Sequence, residues 1–226
     1  DVTAANNLKI TGDISGTNIT LAAGGSVEYA GSAAAVNALL INGTSVTTSG
    51  DGALSGDTVA LTASAGSIDA ESNFTGTTVT FDSTKDISVA GDITSVDALA
   101  LNAGLDISID GQLVASTIKA TSIQGTVSQS GSMSATGAIT VSAEDGAVTL
   151  TGDLTGGSVL VTATGGDLNS SGNVMSTDTT VTFDSTKDIS VAGDITSVDA
   201  LALNAGLDIS IDGQLVASNI KATSIQ

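Results

Sequence analysis

Five aspartates stand at matching places in this chain. Asp86 and Asp106 each precede an Ile-Ser pair, and Asp167, Asp188 and Asp208 form a second file, each before an aliphatic residue. Within each file the spacing is 20 or 21 residues. In a fold that repeats with that period, these carboxylates stack on adjacent turns. Like charges about 5 Å apart repel, by roughly 0.5–1 kcal/mol when solvated. A hard cation such as Ca²⁺, which takes several oxygen ligands, converts that repulsion into binding. The other reading makes them solvated turn residues that keep the molecule soluble. The Gly-Gly-x-Gly-x-Asp nonapeptide of known calcium-binding repeats is absent.

Most other chemistry lacks its residues. The 226-residue chain has no His, no Cys, no Pro and no Trp, and its basic residues are five lysines. A nucleophile–His–acid arrangement is excluded, as is a zinc site built on His or Cys. No glycine-rich loop ends in Lys-Ser or Lys-Thr to cradle a phosphate. A pair of carboxylates acting on a glycosidic bond is the one catalytic route left. Sugar-cleaving β-helices support such pairs with basic residues or aromatic platforms, and here aromatics are 2%. The expectation is a protein that is not an enzyme. With 24 acidic residues and a net charge of -19, nucleic acid is not an expected partner. Anionic membrane surfaces are disfavoured too. No apolar run approaches the roughly 20 residues that span a bilayer, so membrane insertion is not expected.

The elements that position the aspartates come from a repeat inside a repeat. The stretch 77–124 recurs as 179–226, 102 residues later, with Thr117 replaced by Asn219. A shorter period lies within it. "ITLA" at Ile19, "LLIN" at Leu39, "VALT" at Val59, "VTFD" at Val79 and "LALN" at Leu99 begin 20 residues apart. The file continues through Ile118, Ile139, Val159, Val181, Leu201 and Ile220. Val79 and Phe81 point one way and Thr80 and Asp82 the other, the period-two signal of a half-buried strand. A second strand follows, as at Ile87 with Val89 and Ile107 with Ile109. A third, shorter one follows Gly, as in "GDI" at Gly91 and "GQL" at Gly111. Gly, Asn, Asp and Ser fill the junctions.

Three short strands cannot bury their inner faces alone, but stacked units can. The expected fold is all-β: a β-solenoid, a right-handed parallel β-helix with about 20 residues and three short strands per coil. Residues 1–226 form one repetitive segment of about ten to eleven coils. A β-sandwich of short hairpins gives no reason for a fixed 20-residue register. Phe81 and Phe183 alternate with Leu101 and Leu203 as inner residues and read as core. Asn102 and Asn204 read as bend residues. Thr78-Val79-Thr80 resembles an ice-binding Thr-x-Thr file, but neighbouring coils read Leu-Ala-Leu and Val-Leu-Val. Asn-x-Ser/Thr sequons stand at Asn18, Asn42, Asn73 and Asn169, a number that chance explains in a chain rich in Ser and Thr. No polar cap is visible at either terminus, which predicts end-to-end continuation with further repeats.

Units such as "GAITVSAEDGAVTLTGDLTGG" and "ALALNAGLDISIDGQLVAS", poor in Cys and aromatics, resemble the repeat shaft of filamentous-haemagglutinin-type adhesins of two-partner secretion. The resemblance covers essentially the whole chain. It implies export through an outer-membrane pore, an extracellular or bacterial cell-surface location, and a rod that projects a binding tip. The expected function is a structural shaft of a surface or biofilm-matrix adhesin. A rod that binds extracellular polysaccharide, or another cell-surface receptor, along its length is the alternative, followed by a polysaccharide-degrading β-helix. A repeated shallow polar groove marks the binding rod; a single irregular, carboxylate-lined cleft marks the enzyme.

Overall fold

The computed structural model describes residues 1–225; Gln226, where the second copy of the block ends, lies outside the described residues. The described chain is a β-solenoid without helices, and every strand pairing in it is parallel. Each coil turns through three walls. One wall is an 11-stranded sheet of short strands such as Ile87–Val89 and Ile107–Ile109, which sets the number of coils at about eleven. The other two walls belong to a single 18-stranded sheet.

The inner files follow the predicted register. Ile19 pairs with Leu39, Leu39 with Val59, Val59 with Val79 and Val79 with Leu99. The file runs on through Ile118, Ile139, Val159, Val181 and Leu201 to Ile220. Alternation puts Val79, Phe81, Leu99 and Leu101 fully inside, with Thr80, Ala100 and Asn102 on the outer face. One continuous aliphatic core results, each fully buried Leu or Ile contributing about 1.5–3 kcal/mol. Phe81 and Phe183 lie in that core, and Phe74 meets Phe81 edge to face at 4.9 Å between ring centroids.

The strands differ in one respect from three separate pieces per coil. In five early coils the third strand and the next first strand join, as in Asn73–Ser83 and Ile93–Ala103, each 11 residues long. Pairing crosses the bend with a register shift between Ser95 and Ala98. The same sequence in the second copy is split into Ile195–Ser197 and Ala200–Ala205. The coils beneath differ: from Phe74 to the inner Val79 is five residues, whereas from Val174 to Val181 is seven.

Gly111 shows why the third strand follows glycine. A Cβ there would overlap the backbone carbonyl of Gly91 in the coil below. Stacked coils approach too closely at this corner for any side chain.

Candidate functional site

The five sequence-predicted aspartates lie in one corner file, directly before the strands of the 11-stranded sheet. Asp86 and Asp106 sit on adjacent coils, since Ile87 pairs with Ile107. Asp167, Asp188 and Asp208 continue the same file, with Thr126 and Ala147 between the two groups. Four of the five carboxylates, all but that of Asp208, accept a backbone amide of the next coil. The Asp106 amide donates to Asp86 Oδ1 at 3.2 Å, and Ser67 Oγ donates to Asp86 Oδ2 at 3.2 Å. Asp106 Oδ1 accepts both the amide and the hydroxyl of Thr126, at 2.7 and 3.0 Å. The Asp188 amide donates to Asp167 at 3.3 Å and the Asp208 amide to Asp188 at 2.9 Å.

The local cause is the bend. At this corner the strand's first amide donates to the carbonyl of the next coil's corner residue, as Ile87 does to Asp106. The corner residue's own amide faces the coil below, and an aspartate there supplies its acceptor. Among the described residues, no three or more Asp, Glu, His or Cys side chains gather into a set that could hold a metal ion.

A second corner file does the same work, and the sequence reading did not single it out. The Asp92 amide donates to Asn73 Oδ1, the Gln112 amide to Asp92 Oδ1, and the Asn173 amide to Asp153 Oδ1, each at 2.8 Å. The Gln214 amide repeats the Asp92–Gln112 contact at Asp194, again at 2.8 Å. Its signal was present: Asx or Gln in the "GDI" and "GQL" steps at a fixed offset. Asn102, in the ladder near the end of its strand, donates through Nδ2 to Asp82 Oδ1 at 2.7 Å. Its copy Asn204 does so to Asp184 at 2.6 Å.

These two Asp–Asn pairs floor two shallow grooves. One, of about 220 Å³, lies between Asp82, Asn102, Thr84 and Ile123; the other, of about 400 Å³, lies between Asp184, Asn204, Thr186 and Ile225. They are the same place in the two copies of the block. Next to the grooves, Gly104 and Gly206 lie so close to the coil below that a Cβ there would overlap the carbonyl of Thr84 or Thr186. Ile123 and Ile225 stand beyond it as walls, 50% and 70% exposed. The lining is mostly apolar around one carboxylate. The grooves are repeated and open, unlike the single deep cleft of an enzyme.

No helix among the described residues is long and apolar enough to cross a membrane. No protein family, curated protein or solved structure matches this chain.

Proposed function

We propose that this chain is a non-enzymatic structural shaft of a large secreted bacterial surface or biofilm-matrix adhesin, projecting a binding tip from the cell. The observation that carries this reading is the use made of its polar residues. The corner aspartates and asparagines are committed to the amides of the next coil, at both corners and along most of the chain. Residue types that would do chemistry elsewhere here extend a backbone ladder. A cross-section that repeats coil after coil is suited to setting distance and stiffness.

The paired grooves favour a second reading, in which the rod binds an extracellular polysaccharide along its length with avidity from repeated sites. The purified chain, presented to a panel of host and bacterial polysaccharides with Ca²⁺ and again with chelator, separates the two. The shaft predicts no saturable binding in either condition. Saturable binding supports the second reading. Its loss with chelator makes Asp86, Asp106, Asp167, Asp188 and Asp208 a Ca²⁺ ladder.

A further inference from the structure

The outer face of the first-strand wall carries charges of both signs on an acidic molecule. From Thr78 to Thr223 its outward positions are Thr, Ala, Ser and Asn, apart from Leu160, the one large apolar residue, and four that carry charge: Asp82, Lys119, Asp184 and Lys221. They sum to zero on a chain whose net charge is -19. Neither lysine has an ion-pair partner among the described residues. Each groove beside this face has apolar walls and one carboxylate. That is the shape of a lysine site: the four-carbon stem covers the walls and the ammonium meets the acid.

We propose that this face pairs with the same face of a second, antiparallel copy of the chain. Lys221 and Lys119 of one copy then enter the grooves at Asp82 and Asp184 of the other. Counting coils along the Ile19 file, Asp82 lies on coil four, Lys119 on six, Asp184 on nine and Lys221 on eleven. A two-fold axis midway between coils seven and eight sets coil four against eleven and nine against six. All four charges of each copy are then opposite a charge of the other sign. The duplication enforces this, because both Asp and Lys recur after the same five coils. A two-fold axis along the rod would instead set Asp82 against Asp82. In the antiparallel arrangement Leu160, 39% exposed on coil eight, lies beside the axis, opposite coil seven of the other copy and one coil away from that copy's Leu160.

The overlap spans eight coils of six-residue strands, roughly 750 Å² per copy at about 4.8 Å per coil and 3.3 Å per residue, which is the size of a standard interface. The remaining acids sit mainly at the corners, where salt screens them beyond about 8 Å at physiological ionic strength.

The test is sedimentation of the purified chain at physiological salt, with zero-length carbodiimide cross-linking of amines to carboxylates. Asn219 in place of Thr117, and Asp178 in place of Gly76, tell the two copies of the block apart in the cross-linked peptides. The expected result is a dimer with Lys221–Asp82 and Lys119–Asp184 cross-links. The K119D/K221D and D82K/D184K variants are each expected to dimerise at least tenfold more weakly, and an equimolar mixture of them to dimerise again. Circular dichroism shows whether each variant keeps its sheet content. A monomer at the highest soluble concentration overturns the proposal. So do Lys119–Asp82 and Lys221–Asp184 cross-links, which mark parallel rods stepped by two coils. Polysaccharide binding to a monomeric chain that is lost in Asn102→Ala/Asn204→Ala would give the grooves to a glycan and overturn it as well.

Discussion

At the scale of single residues, Gln129 is the largest of the side chains that leave a buried polar atom unmatched, with Thr48, Ser72 and Thr121 the others. Gln129 points inward between Ile109 and Leu150 and is 1% exposed. Its amide nitrogen bonds the Gly131 carbonyl, but Oε1 has no hydrogen-bond partner. An unmatched buried acceptor costs about 1–3 kcal/mol. Gln129→Leu is therefore expected to raise the melting temperature, by about 2–4 °C per kcal/mol in a chain of this size. Tyr29 gives a pH-dependent readout. Burial, and then the charge of Asp13, raise its phenol pKa above the usual 10.0. The hydroxyl donates into the carbonyls of Ser32, at 2.6 Å, and Gly12, at 3.1 Å. Above the unfolded value of about 10 the unfolded chain loses this proton while the folded chain still holds it, so stability falls as pH rises through that range. As the one tyrosine, its absorbance titration is read directly. Tyr29→Phe should remove this alkaline loss, and an unchanged pH profile in that variant would assign it elsewhere.

At the scale of the element, the strand and its corner divide the labour. The strand's inner residues supply burial, and the corner's Asx residue supplies the acceptor that the bend leaves missing. Asp92→Asn should therefore be nearly neutral in thermal melts, since Asn73 and Asn173 already play that part, while Asp92→Ala should lose about 1 kcal/mol. Equal losses would mean that charge, not the acceptor, matters. Leu101→Asp places a carboxylate in the aliphatic core and should cost more than about 4 kcal/mol, with hydrogen-exchange protection lost in the coils on both sides. The inner files and their register were legible in the sequence because period-two burial and a 20-residue repeat constrain each other. Val79, Leu99 and Ile118 align as read. The aspartates were legible as stacked files, but their bonding to backbone amides was not, because sequence spacing does not say which way a bend turns its N–H. The joining of strands in Ile93–Ala103 was hidden too, because the identical sequence is split in the second copy and so does not decide it alone. The grooves required knowing that Asp82 and Asn102 stack and bond at the strand ends.

At the scale of the whole molecule, the acids lie mainly along the corners and an aliphatic core runs through every coil. The stretch 77–124 recurs five coils later as 179–226 and brings with it its core files, its corner aspartates, its groove and one charge of each sign on one face. Such a design predicts interchangeable length. Inserting a second copy of residues 77–178 after residue 178 should extend the rod from roughly 50 Å to roughly 75 Å at about 4.8 Å per coil, with no new surface chemistry. The most direct measurement is the length and width of single particles of the native and extended chains by electron microscopy. The account predicts an increase in length of roughly 24 Å at unchanged width. An unchanged length, or a wider or irregular particle, would contradict a shaft built by adding coils.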